Sequence, residues 1–262
     1  MNERVGRWGQ VRIYTGKFYR IFLHEKGWKF IAFAVIIAVL LSVVMGDKMF
    51  VEKEFTRTGM FAIVTAMIWV GVFNSIQNIC REREIIKREH RTGLHISAYV
   101  AAHMIFQAAL CAVQAVLMLV IFGFFMELPS EGVVTGSYYI DAFICFFLVL
   151  YAADMMGLAV SSVVKSTTTA MTVMPFLLII QLIFSGSIFP LTGPAQKVSA
   201  LTISKWGQRV LCIEANLNEI PSVALEQEPD LVTRRWLYLI GFAVAFGAFS
   251  ILSLEFVDKD RR

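Results

Sequence analysis

The strongest constraint on this chain is the recurrence of apolar runs too long and too free of charge for an ordinary globular surface. A helix rises about 1.5 Å per residue and bilayer hydrocarbon is about 30 Å thick, so one crossing needs roughly 17 to 25 such residues. Six stretches qualify: 28–45, 59–80, 96–126, 142–164, 167–190 and 236–254. Lys29 sits at the edge of the first, and Asp154 is the one acid inside the set. Backbone groups in lipid must be satisfied within the segment, and no two-residue alternation suggests barrel strands, so the runs predict helices. With 57% hydrophobic and 17% charged residues, the chain is too apolar for a soluble enzyme or a nucleic-acid binder, although its formal charge is +4. The expected class is an all-α integral membrane protein with six transmembrane helices.

The basic residues orient it. Arg4, Arg7, Arg12, Lys17, Arg20, Lys26 and Lys29 precede or open the first run; Arg81, Arg83, Lys87, Arg88 and Arg91 follow the second; Lys259, Arg261 and Arg262 close the chain. The loop after the third run has Glu127, Glu131 and Asp141 and no base. Because Lys and Arg are retained on the cytoplasmic side, both termini are predicted inside. Of the four cysteines, Cys80, Cys111, Cys145 and Cys212, this topology puts only Cys212 outside, which leaves no outer intrachain disulfide.

Three segments read as helices that do not cross. Val11, Tyr14, Phe18, Ile21 and Phe22 recur at helical spacing beside Arg12, Lys17 and Arg20, the pattern of a helix in the headgroup plane, serving either as a basic anchor or as a mechanical element. Residues 81–91 form a short charged helix with Glu84 four places before Arg88, and Ile85 and Ile86 are an apolar spot that a cytoplasmic partner could bury. Trp206, Val210, Ile213, Leu217 and Ile220 form an outer apolar stripe with Ser204 as its expected cap and Pro221 as its stop. Its readings are a lid or plain packing.

No phosphate-cradling glycine loop, two-histidine metal helix or glycine-flanked nucleophilic serine is present, so no catalytic or metal-ligating residue is assigned. His24, His90, His95 and His103 are scattered; a pairing of His103 with Asp154 would be a weak case for a proton relay. Asp154 is expected to face protein or water; its two roles are binding a transported ion and, the favoured one, that of a structural acid hydrogen-bonded through Ser161, Ser162 or a backbone group. Phe73, Asn74, Gln77 and Asn78 at the inner end of the second run, with Met174 and Gln181 of the fifth, are the candidate cavity residues; the amides have interhelical glue as their competing role, the default for Gln107, Gln114 and Gln181.

The stretch 69–99 (WVGVFNSIQNICREREIIKREHRTGLHISAY) resembles the second-span exit, coupling helix and third-span start of ABC exporter permeases of the G-subfamily type. Glu82, Arg88-Glu89, Gly93 and Tyr99 carry the resemblance. Phe184-Ser-Gly-Ser-Ile-Phe189 resembles the family's end of span five, and Ser204-Lys-Trp206 with Glu214 its outer helices. His95 after Leu94 departs from the aromatic pair of many relatives. The resemblance implies a single permease domain over 1–262, an amino-terminal connecting helix, and a coupling helix whose Glu82, Arg83, Ile85, Ile86, Arg88 and Glu89 receive an ATPase's movement. It further implies a separate or fused ABC ATPase carrying ATP and Mg, none of these in this chain, and a second permease copy or paralogue. A bacterial cell membrane with its lipids is the expected setting; nucleic acid is not an expected partner. The cargo is left open among lipid, peptide, drug-like molecule and polysaccharide. An ion-coupled secondary transporter would show repeats and several buried ionisable groups, and a non-transporting assembly factor would show no cargo path.

Overall fold

The computed structural model describes residues 6–189, 191–215 and 229–256. Among these the chain is helical throughout, with no strand: α1 (Arg7–His24), α2 (Trp28–Met45), α3 (Lys53–Ser75), α4 (Asn78–Arg91), α5 (Ile96–Phe125), α6 (Tyr138–Val163), α7 (Thr167–Ile183), α8 (Pro194–Ser199), α9 (Ile203–Glu214) and α10 (Pro229–Glu255). By length and composition α2, the α3–α4 segment, α5, α6 and α10 can each cross a bilayer, while α7 is a shorter apolar helix of 17 residues.

The bundle is built around α6, which packs against α3, α5, α9 and α10. Its seam with α3 is made of small residues. A methyl group at Gly71 would run into the Leu150 carbonyl oxygen, and one at Gly157 would lie 2.6 Å from Ser75 Oγ. The backbones therefore approach closely enough for Ser75 Oγ to donate to the Asp154 carbonyl at 2.5 Å. In lipid there is little hydrophobic gain from bringing two apolar helices together, so such close van der Waals contact and interhelical hydrogen bonding supply the association. Gly207 likewise brings α9 close to α6 and α3, where an added methyl would lie 2.7 Å from Val149 and 3.3 Å from Val64.

Two expected boundaries move for identifiable reasons. The second run does not continue as one helix to residue 80: α3 ends at Ser75, Ile76 and Gln77 form a turn, and α4 begins at Asn78. The Asn74 carbonyl accepts from Gln107 Nε2 and Asn78 Nδ2, both at 3.2 Å, and the Ile79 and Cys80 amides donate to Ser161 Oγ of α6 at 3.0 and 3.1 Å. The first turn of α4 is thus capped from a neighbouring helix. The fifth run is helical only to Ile183, about 25 Å of rise at 1.5 Å per residue. Ser185 Oγ takes the Leu182 carbonyl at 2.8 Å, and Gly186 turns the chain with φ +80°, a conformation that disfavours any side chain. Pro190, the predicted end, lies outside the described residues, as do Leu217, Ile220, Pro221, Arg4, Lys259, Arg261 and Arg262. The fourth and sixth helices begin earlier than predicted, at Tyr138 and Pro229. Asp141 consequently falls inside α6, fully buried, its carboxylate accepting from the Val134 and Thr135 amides.

Replacing Gly71 with Val should cost about 3 kcal/mol or more through forced separation of α3 and α6. Gly16→Ala, whose added methyl would meet only the Arg20 side chain at 3.8 Å, should be neutral or stabilising by roughly 0.5–1 kcal/mol. Thermal unfolding of the two detergent-purified variants measures both; equal midpoints would remove the small-residue seam as the organising contact.

Candidate functional site

At the end of the bundle formed by α4, three elements converge on that helix. α1 lays its apolar stripe on α5: Phe18 stacks on His103 at 3.9 Å between ring centroids, Tyr14 and Phe18 meet Tyr99 edge-on at 5.6 and 5.7 Å, and Phe22 meets Phe106 at 5.7 Å. The stripe predicted for a headgroup-plane helix is therefore spent on protein contact, while Trp8 and Leu23 stay exposed. Polar residues of the same helix reach α4 and the turn beyond it. Tyr14 Oη donates to Glu89 Oε2 at 2.7 Å, Lys17 Nζ pairs with Glu82 at 3.3 Å, Gln10 Nε2 donates to the Gly93 carbonyl, and the His95 amide donates to Gln10 Oε1. Burial, then the bond to Glu89, raises the Tyr14 phenol above its ordinary value, so it remains a proton donor to that carboxylate. Gly93 holds φ +113°, which suits glycine alone at this turn.

The predicted coupling residues divide between two faces of α4. Glu82 accepts from Tyr99 Oη at 3.0 Å as well as from Lys17, and Arg83 is buried, with Nη1 donating to the Ser162 and Val164 carbonyls at 2.9 and 3.2 Å. Glu89 is held by Tyr14, and Ile86 is buried in the apolar cluster of α1 and α5. The expectation that Ile85 and Ile86 form one exposed spot is corrected: Ile85 is 45% exposed and Ile86 1%, because successive helical residues point about 100° apart. Arg88, Glu84 and Arg81 share the exposed side with Ile85. Glu84 pairs with Lys87 at 3.3 Å rather than with Arg88, and Arg81 pairs with Glu25 at 3.0 Å.

Between α1, α2, the α3–α4 turn and α5 lies a cavity of about 660 Å³. Phe73, Asn74, Gln77 and Asn78 line it, with Phe22 and Phe33 among its aromatic walls. Met174 and Gln181 do not. Met174 is buried in the main core, and Gln181 joins α7 to α9, its Oε1 accepting from the Ser204 amide and its carbonyl accepting from Ser204 Oγ at 2.5 Å. Ser204 is therefore a tether and not the cap of α9, a position occupied by Thr202. Asn74 serves both roles left open for it, since it also exchanges two hydrogen bonds with Gln114, at 2.7 and 3.1 Å.

Asp154 is fully buried, as expected, but its partners differ from those predicted. Cys111 Sγ donates to Oδ2 at 3.4 Å, whereas Ser161 caps α4 and Ser162 Oγ bonds its own helix. His103 does not join it: its ring nitrogens have no hydrogen-bond partner among the described residues, and its face is taken by Phe18. Sequence reasoning missed the polar row Gln10, Tyr14 and Lys17, spaced four and three along α1, and the small pairs Gly71/Ser75 and Ala153/Gly157, each four apart. Both spacings were readable as single helical faces.

Residues 15–210 match the family described as ABC-2 type transporter. A stretch of 143 residues is 31% identical to the ABC transporter ATP-binding/permease protein Rv1747 of Mycobacterium tuberculosis, covering 53% of this chain and 16% of that relative.

Three outcomes test the geometry. Ser161→Ala should leave the Ile79 and Cys80 amides without their acceptor, costing about 1 kcal/mol and speeding their hydrogen exchange relative to the middle of α4. Asp154→Asn should leave assembly and thermal midpoint near wild type, since an amide oxygen still accepts from Cys111. Glu214, buried in α9, has neither carboxylate oxygen hydrogen-bonded among the described residues, and burial together with the charge of Asp141 pushes its pKa up. Its contribution is therefore full at low pH and lost as pH rises through the raised value. Glu214→Gln should flatten the alkaline limb of a thermal-midpoint profile and leave the acid limb alone.

Proposed function

The chain belongs to the ABC-2 type transporter family, and on that footing we propose that it is the permease half of an ATP-driven exporter whose exposed α4 face receives an ABC ATPase. ATP and Mg are bound by that ATPase, carried on a separate subunit or on a fused chain such as the ATP-binding/permease relative. Residues 1–262 act as one permease domain. It crosses the membrane six times, with α7 as the fifth crossing and α4 and both termini in the cytoplasm. The basic flanks at Arg7–Lys29 and Arg81–Arg91 against the acidic loop at Glu127 and Glu131 support this orientation. A second copy or a paralogue completes the transporter, and the exposed apolar side of α7, with Phe176, Ile179 and Ile180, is suited to lipid or to that partner.

The observation that carries the reading is the two-sidedness of α4. Ile85, Arg88 and Glu84 face outward, while Glu82, Arg83 and Glu89 bind α5, the α6–α7 connection and α1. A displacement of the outer face is thereby passed to three separate elements by directed hydrogen bonds, the requirement for rigid-body rearrangement driven from outside the bundle. The 660 Å³ cavity beside it has the size of a small-molecule site, with walls of phenylalanine and a polar side of amides and of the charged Glu25, Lys26, Lys29, Arg81 and Glu82. An amphipathic cargo, a lipid or a drug-like molecule, fits that lining better than a polysaccharide.

Reconstitution with the cognate ATPase tests the assignment. Ile85→Ala and Arg88→Ala should weaken complex formation several-fold. Glu89→Gln and Tyr14→Phe should leave the complex intact but separate hydrolysis from transport. If all four variants couple like wild type, α4 is not the contact with the motor.

A further inference from the structure

At the opposite end of the bundle from α4, the first turns of α3, the loop after α7, and helices α8 and α9 enclose a second pocket of about 290 Å³. Its lining is strongly basic. Lys53, Arg57, Lys205 and Arg209 contribute four cations against one carboxylate, Glu54, and Ser185, Ser187 and Ser199 add hydroxyl groups. Cys212 adds no negative charge, because burial pushes its thiol up to about 12.

The decisive residue is Lys205. Its side chain is 8% exposed, and Nζ donates to Ser199 Oγ at 2.7 Å. Lys205 and Arg209 both lie over the Trp206 ring, at 5.5 and 6.0 Å from its centroid, and Trp206 is in turn stacked on Tyr238 of α10 at 4.4 Å. Among the described residues neither cation is in an ion pair with a carboxylate. Burial, then the neighbouring Arg209, lowers the pKa of Lys205, as expected of an ammonium with no carboxylate beside it. A buried ammonium is costly unless paired, and cation–π contact returns only a part of that cost. Lys205 and Arg209 are therefore left without a counter-charge among the described residues, and Arg57 of α3 lines the same space.

We propose that this outer pocket binds a phosphate-type oxyanion, either as the headgroup of an anionic lipid or as the free ion. Arg57 and Arg209 supply guanidinium donors suited to paired phosphate oxygens, and Lys205 supplies a fixed ammonium beneath them. Ile188, Phe189 and Leu201, exposed on the segments that border the pocket, offer apolar surface beside it for an acyl chain. The site stands apart from the inner cavity and from the motor-facing helix, so it requires neither the cargo assignment nor the ATPase.

The test uses the full chain in phosphatidylcholine nanodiscs. Dioctanoyl phosphatidylglycerol, dioctanoyl phosphatidylcholine and inorganic phosphate are titrated separately, with binding read by calorimetry and thermal midpoint. The glycerol lipid should bind and raise the midpoint while the choline lipid does neither. Arg57→Gln and Arg209→Gln, both at exposed positions that keep the fold, should each weaken binding roughly tenfold, the value of one charge-assisted hydrogen bond. Arg12→Gln on α1 should leave it unchanged. Saturable binding of inorganic phosphate with the same sensitivity to Arg57 and Arg209 supports the site with the free ion as source; binding of the lipid alone supports it with the headgroup as source. Equal binding of the two lipids without phosphate binding, or equal weakening by Arg12→Gln, overturns it. Because no nucleotide is present, this failure is distinct from failure of the coupling experiment.

Discussion

Everything else in the bundle is referred to the close crossing of α3 on α6. Gly71 and Ser75 of one helix meet Ala153 and Gly157 of the other at a separation that no larger residue at the glycines would permit. This contact needs no polar cluster to hold it, yet it determines where the polar groups fall. The Asp154 carbonyl comes within reach of Ser75, the Asp154 carboxylate is brought to Cys111, and Ser161, two turns further along α6, is presented to the start of α4. Intramembrane polar residues here are consequences of helix register and serve to fix it, in keeping with the modest energy each such bond contributes in lipid.

The inner end shows a second principle, the division of one short helix into a bonded face and an exposed face. α4 is bound by residues that are far apart in sequence: Tyr14 and Lys17 of α1, Tyr99 of α5, and the carbonyls of Ser162 at the end of α6 and Val164 just after it. The exposed face contains Ile85, an apolar side chain that the chain itself leaves uncovered. Membership in the ABC-2 type transporter family gives that arrangement its context, since ATP hydrolysis in such a transporter lies in a partner or a fused domain that needs a surface to act on.

How much of this was readable beforehand follows the range of the forces involved. Hydrophobic length is a local property, so residues 28–45 and the start of α5 at Ile96 were legible without knowledge of any neighbour. The break at Ile76 was not, because its cause is a serine on another helix. Likewise the shortness of α7 depends on a serine and a glycine whose apolar surroundings hide them in a hydropathy scan. Four of the six cavity residues line the 660 Å³ cavity because they sit together at the end of α3 and the turn into α4. Met174 and Gln181 fell away because periodicity alone does not say which face of α7 meets α9. The basic pocket at the α9 end of the bundle escaped notice for the same reason: Lys205 and Arg209 are neighbours on a helix, but Lys53 and Arg57 join them only through the fold.

The cap supplied to α4 by Ser161 has a mechanical meaning. A continuous helix would work as a stiff rod, carrying axial load straight along α3. Here the backbone ladder is interrupted after Ile76, and the Ile79 and Cys80 amides are tied to α6, so a load on α4 would pass sideways into the helix at the centre of the bundle. The joint has the form of a pivot that rests on α6, and a single hydroxyl oxygen, shared by two amides, makes the contact.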